Sequence, residues 1–200
     1  MSEVYNIKNA LLSVYSKEGI VQMAGLLNDC GINILSSGGT AKKLNEGGIP
    51  AMDVAEYVGF PPLFDHRVVT LHPKVHGGIL YRRDNEQDCE EAKKQGIIDI
   101  GLVVVNMCPV QKAIEENSKL EDVVKLIDIG GPALIRAAAK NHKYVSVVVD
   151  PSDYIPVAEE IKNNGGLPSS RRFELAQKAF ETTAEYDRSI AEFYKNHTKK

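Results

Sequence analysis

The 200 residues predict an α/β fold, a parallel sheet covered on both faces by helices. Three observations predict it. Short apolar runs alternate with segments of helical spacing from end to end. The run Ile100–Val105 is almost wholly apolar, as in a strand buried on both faces. Glycine or proline punctuation follows most segments. Apolar residues are 43% and charged residues 26%, which excludes disordered and fibrous classes.

The elements follow in order. Ile7–Tyr15 is a strand, and Gly19–Leu27 is a helix with Ile20, Met23, Ala24 and Leu27 inward and Gly31 as its stop. Ile32–Leu35 is a second strand. Ser-Ser-Gly-Gly-Thr (36–40) leads to a short helix closed by Gly47-Gly48, and Met52–Val54 is a third strand. Residues 59–84, with three glycines and three prolines, read as long loops holding at most one helical turn. Glu86–Gln95 is a polar helix, 100–105 the buried strand, and Pro109 opens a helix ending near Asn117. Leu120–Ile127 is amphipathic. Gly130-Gly131-Pro132 starts another helix, Tyr144–Val149 is a strand, and Pro151–Lys162 is a helix. Ser170 is expected to cap a last long helix, its inner face Phe173, Ala176, Phe180, Ala184, Ile190 and Tyr194. The chain reads as one unit, with residues 1–150 as the α/β core and 151–200 as a helical extension.

Composition narrows the function. A net charge of −3 argues against a nucleic-acid binder. No apolar run approaches the roughly 20 residues of a membrane span, and Met1–Asn6 has no signal-peptide pattern. Cys30, Cys89 and Cys108 are odd in number and widely spaced, so no disulfide framework is expected and the cytoplasm is the expected compartment.

Ligands of such sheets bind beyond the carboxyl ends of the strands. There the sequence places Ser13, Ser16 and Lys17, then Ser37-Gly38-Gly39-Thr40, then Asn106 and Cys108. Gly-Gly-Thr at a strand-to-helix turn suits an anion, because glycines admit a close backbone approach and the helix offers unpaired N–H groups. Arg67 is a bidentate phosphate donor and Thr70 a hydroxyl. The stretch D-H-R-V-V-T-L-H-P-K-V-H-G-G (65–78) raises a metal reading through His72 and His76. Their spacing would share a helical face, but no acidic third ligand accompanies them, so no metal is expected. Asp128 stands before a helix start and Lys140 at that helix's end. About 12 Å of helix separates them, which requires opposed extended side chains or a partner subunit.

The chain resembles the N-terminal IMP cyclohydrolase domain of the bifunctional AICAR transformylase/IMP cyclohydrolase family. The resemblance rests on S-V-Y-S-K-E-G (13–19), L-S-S-G-G-T-A-K (35–42), R-V-V-T-L-H-P-K-V-H-G-G (67–78), I-D-I-G-G-P-A-L-I-R-A-A-A-K-N-H (127–142) and A-E-Y-D-R-S-I (184–190). It implies a methylglyoxal-synthase-like fold, a doubly wound, mostly parallel sheet of about five strands. It implies closure of 5-formamidoimidazole-4-carboxamide ribotide (FAICAR) to inosine monophosphate (IMP), no cofactor, and a homodimer. It places the nucleotide at Ser13, Ser16, Lys17, Ser37, Gly38, Gly39, Thr40, Arg67, Val69, Thr70, Ile129, Gly130 and Gly131. It places catalysis at Asp128 and Lys140, with Asn106, Cys108 and His66 beside them. Val69 stands where a lysine is expected, Cys108 where a tyrosine is expected, and His66 where a glycine is usual. His66 is the first candidate to replace that lysine. The alternative is a non-catalytic nucleotide or phosphate sensor of the same fold. No R-Y-G-E-N-P-H stretch of a transformylase half occurs, so formyl transfer would come from a separate or fused unit.

Overall fold

The computed structural model describes residues 4–116 and 119–197. Strand β1 (Asn9–Val14) is followed by α1 (Ile20–Asp29), β2 (Asn33–Ser36), α2 (Gly38–Glu46) and β3 (Met52–Asp53). Helices α3 (Val54–Val58), α4 (Pro73–Leu80) and α5 (Glu86–Lys94) precede β4 (Leu102–Asn106). Then come α6 (Val110–Glu115), α7 (Leu120–Leu126), α8 (Gly130–Lys140) and β5 (Ser146–Val148). A 3₁₀ turn (Pro151–Asp153), α9 (Tyr154–Asn164) and α10 (Ser169–His197) complete the described chain.

The five strands are all parallel, in the order β3-β2-β1-β4-β5. From β1 the chain steps outward to β2 and β3, then returns to β1's other side for β4 and β5. The direction of winding therefore reverses between β1 and β4, which opens a crevice at their carboxyl ends. Leu102, Val103, Val104 and Val105 are all buried, so the sheet is covered on both faces as expected. Alternation along β1 divides the core. Ala10, Leu12 and Val14 join one cluster with Ile20, Met23, Tyr154 and Val157. Leu11 joins the other with Val75, Ile79, Leu134 and Ala176.

Three expectations need correction. Residues 59–84 are not only loop, since α4 spans Pro73–Leu80 within them. Helix α4 was hidden because its Gly77 and Gly78 read as breakers. They are small because they must be: a Cβ on Gly78 would lie 2.6 Å from the Ile98 carbonyl. Ser170 is not the cap of the last helix, which already includes Ser169. The inner face of α10 is Arg172, Leu175, Ala176, Ala179, Thr183, Tyr186 and Phe193, while Phe173, Phe180 and Tyr194 are exposed. Ala184 also faces out. Close approach explains the shift: Ala137, Ala138 and Ala139 of α8 cluster with Ala176 and Ala179, and small side chains let two helices meet where phenylalanines would not fit. Phe180 lies outside under the Arg136 guanidinium, 5.8 Å from its ring centroid.

Arg172 is 1% exposed, and its guanidinium donates to the carbonyls of His142, Lys143 and Leu167, tying α10 to the turns beside it. Lys178 of α10 donates to Asp150 (2.6 Å) and Asp153 (2.8 Å) after β5. The Lys178 hydrogen bond, with backbone and hydroxyl donation from Ser152, holds the Asp150 carboxyl at about 2, against an ordinary 3.8. A depressed carboxylate stabilises the fold above its unfolded value, and that contribution is lost as pH falls through the folded value. Stability should therefore decline between about pH 4 and pH 2. The Asp150→Asn variant should show a flatter acid limb in urea midpoints measured across that range.

Candidate active site at the β1–β4 crevice

The crevice is built by Asn106, the last residue of β4. Its Oδ1 accepts from the Ser16 backbone N–H (2.8 Å), and its Nδ2 donates to the Ser16 carbonyl and to the Tyr154 hydroxyl (3.0 Å each). Its carbonyl accepts from Tyr15 N–H at 3.1 Å. Asn106 was expected among the catalytic groups. Its amide is instead committed on both sides, so it braces the loop after β1. Burial pushes the Tyr154 phenol up to about 12, so that partner stays protonated.

The braced loop carries Lys17. Its ammonium folds back onto the carbonyls of Val14 and Tyr15, the latter at 3.0 Å. Its Cε lies 3.8 Å from the point where a Cβ on Gly39 would stand. Lys17 is therefore held against the N-terminus of α2. Burial lowers its pKa. Gly38 has φ of +51°, a left-handed conformation that a side chain would strain. Ser37 precedes the helix and makes no side-chain capping bond. Ser13 stands opposite Val105 in the sheet, near the crevice.

Thr40 departs from expectation. It is 3% exposed; its hydroxyl donates to the Val14 carbonyl (3.0 Å) and accepts from the Val14 N–H (3.1 Å). The single hydroxyl proton is used, so Thr40 fastens α2 to β1 and cannot donate to an anion.

Across the crevice stands the start of α8. Asp128 Oδ1 accepts from Gly131 N–H at 3.0 Å, so its carboxylate lies over the helix N-terminus. A Cβ at Gly131 would meet Asp128 Oδ2 at 2.2 Å, so only glycine fits. A Cβ at Gly130 would lie 3.0 Å from Thr70 Oγ1, which brings buried Thr70 to the same helix start. Ile129, between them, is 63% exposed and offers an apolar wall. Sequence reading missed Tyr186, whose hydroxyl accepts the Asp128 backbone N–H at 2.8 Å. Burial raises its phenol to about 12. Its signal was present in A-E-Y-D-R-S-I, where the tyrosine lacked a role.

The remaining expected residues scatter. Val69 is half-buried against the core containing Leu11 and Ile79, so it does not present a polar group to the crevice. Leu63 and Val68 pair antiparallel, and the exposed tip between them holds Phe64, Asp65 and His66 at φ of +53°, +55° and +62°. His66 and Arg67 ride on that tip. Among the described residues no hydrogen bond joins His66 to Asp128 or Cys108, so the structure supplies no contact for its expected substitution. Lys140 ends α8, and eleven residues of helix put it about 16 Å from Asp128's end. Its neighbour Asn141 donates to the carbonyls of Ile79 and Tyr81, on the amino-terminal side of the sheet. One chain therefore does not bring Lys140 to Asp128.

The two histidines of the metal reading are local anchors. His72 Nδ1 accepts from Lys74 N–H (3.1 Å) and caps α4. His76 donates its backbone N–H to the His72 carbonyl (3.0 Å), and burial lowers its imidazole pKa. Among the described residues no three of His, Cys, Asp and Glu are grouped to hold a metal ion. A concavity of about 730 Å³ lined by Asn9, Asn33, Asn45, Met52 and Tyr57 lies at the amino-terminal side of the sheet, away from all these groups and without a charged side chain.

The crevice lies where this fold binds ligands, and the comparisons agree on the fold. The MGS-like domain model matches residues 19–133, and the AICARFT/IMPCHase bienzyme model matches residues 138–200. The chain belongs to the MGS-like domain family. Its curated relatives include the bifunctional purine biosynthesis protein PurH of Parvibaculum lavamentivorans, 45% identical over 98% of this chain. The PurH of Neisseria meningitidis is 48% identical over 94%, and that of Thermoanaerobacter 50% over 92%. This MGS-like chain spans 36% of the length of each of these relatives. The crystal structure of ForH matches with a TM-score of 0.82 and 35% identity, covering 94% of this chain and 99% of that one. No described helix is long and apolar enough to cross a membrane.

Tyr186 should hold Asp128 in place. Tyr186→Phe leaves a half-buried N–H without its acceptor, and urea unfolding should show a loss of about 1–2 kcal/mol. An unchanged midpoint would mean that another group takes the bond.

Proposed function

We propose that the chain is an IMP cyclohydrolase domain, closing FAICAR to IMP in purine biosynthesis. The observation that carries this reading is the pairing of two unlike ends across one crevice. Lys17 beside the α2 N-terminus suits a phosphate, and Asp128 over the α8 N-terminus suits proton abstraction. The relatives' name, bifunctional purine biosynthesis protein, supports the pathway.

In this reading the phosphate rests on Lys17, Ser37 and the amides of Gly38 and Gly39. The base lies along Ile129, Gly130 and Gly131. The carboxamide nitrogen attacks the formyl carbon, and Asp128 takes its proton. The formyl oxygen becomes a hydroxyl and departs as water. Both reacting groups sit on one ring, so holding them in contact is a large part of the task. Lys140 can act only in the site of a second copy, and the homodimer is the arrangement that permits it. Formyl transfer, which supplies FAICAR, belongs to a fused or separate unit.

A second reading is favoured by Val69. With an apolar side chain directed to the core and Lys140 remote, the crevice would bind a nucleotide without turning it over. Incubation of the pure chain with FAICAR, with IMP followed by absorbance, separates the two. Turnover is expected. Asp128→Asn should lower kcat at least about 100-fold with IMP affinity retained. Lys17→Ala should weaken IMP binding about tenfold or more in calorimetry. IMP binding without any turnover would establish the sensor reading instead.

A further inference from the structure

The Asn106 amide holds the loop that carries Lys17, accepting from the Ser16 N–H and donating to the Ser16 carbonyl. An asparagine side chain turns about two single bonds, so it holds a loop only as firmly as it is itself held. Once Ser16 is bonded on both sides, one Nδ2 hydrogen is left over. It goes to the Tyr154 hydroxyl at 3.0 Å.

Tyr154 opens α9 and lies 48 residues from Asn106 along the chain. It is 1% exposed, and its ring joins the core cluster of Ile20, Met23 and Val157. The ring also backs the far end of the loop. Its Cδ2 lies 3.5 Å from the point where a Cβ on Gly19 would stand, and Gly19 turns at φ of +70° into α1. Tyr154 therefore underlies the loop at both ends, at Ser16 through Asn106 and at Gly19 directly, with Lys17 between them. A phenylalanine would fill the same core space. The hydroxyl is the part that packing does not require, and burying it is unfavourable unless it is bonded.

We propose that Tyr154 is a positioning residue for the phosphate end of the crevice. Its hydroxyl fixes the Asn106 amide, the amide fixes Ser16, and Ser16 sets Lys17 against the N-terminus of α2. The proposal rests on the reading above, in which Lys17 and the α2 amides take the phosphate. Tyr154 itself touches no substrate. Each link is short: one hydrogen bond to Asn106, two to the backbone of Ser16, and one peptide unit to Lys17. The Asp128 wall is held by other groups, the Gly131 amide and the Tyr186 hydroxyl. Loss of the Tyr154 hydroxyl should therefore act on ligand affinity and spare proton transfer.

The test uses the full chain. Tyr154→Phe keeps the ring, and its circular dichroism should match the parent. IMP affinity in calorimetry and KM for FAICAR should weaken about five- to tenfold, the scale of one hydrogen bond. The kcat should change less than about threefold, because the lost interaction serves binding alone. The effect runs through Lys17, so adding Tyr154→Phe to Lys17→Ala should cost less than about twofold further in IMP affinity. Unchanged IMP affinity in Tyr154→Phe overturns the proposal, whatever happens to the melting temperature. An equal loss in the parent and Lys17→Ala backgrounds also overturns it, since the hydroxyl would then act by general loosening. A parent chain that binds IMP but never forms it overturns the cyclohydrolase reading alone, and the affinity cycle still decides the role of Tyr154. A parent chain that does not bind IMP overturns both.

Discussion

The side chain of Asn106 is the constraint on which the site depends. A parallel sheet whose winding reverses between β1 and β4 leaves a gap there, because the two strands lead into different layers. Asn106 spans that gap with one amide, bonding Ser16 on both its N–H and its carbonyl and reaching Tyr154 of α9 behind it. With the loop after β1 braced, Lys17 is fixed over β1's carboxyl edge and Tyr15 is aimed outward. An aspartate could not donate to Ser16 and Tyr154, and a leucine could make none of these bonds.

The opposite wall depends on absent side chains. Asp128 can lie over the α8 N-terminus as it does because position 131 has no Cβ, and a Cβ at position 130 would press on Thr70. The backbone amide at 131 then satisfies the carboxylate directly. Helix α10 completes this wall from far along the chain: its alanines pack tightly on the alanines of α8, and the register of that contact delivers the Tyr186 hydroxyl to Asp128's N–H. The residues after position 150 therefore contribute to the site as well as to the core.

Much of this was legible in the sequence for local reasons. The buried run 102–105, the helix spacing of Ile20, Met23, Ala24 and Leu27, and Gly-Gly at 38–39 and 130–131 each announce themselves through short-range patterns. What misled was equally local. Gly77 and Gly78 looked like a broken helix although they make room for Ile97 and the Ile98 carbonyl. Phe173, Phe180 and Tyr194 looked like an inner face because they are large and apolar, while a close helix crossing selects small residues. Thr40 looked like an anion ligand because a hydroxyl in sequence does not reveal which partner it meets.

By itself the sequence determined the fold class, the order of the strands and of most helices, and the short stretches from which a site would be drawn. Periodicity and backbone-permissive residues are written within a few positions and survive without neighbours. Only the tertiary structure decided roles. It turned Asn106 and Thr40 into braces and moved Lys140 to the far end of α8. It set Val69 against the core, and it set Tyr186 on Asp128. The reason is that a polar group's function is set by which partners it has already satisfied, and those partners lie tens of residues away along the chain.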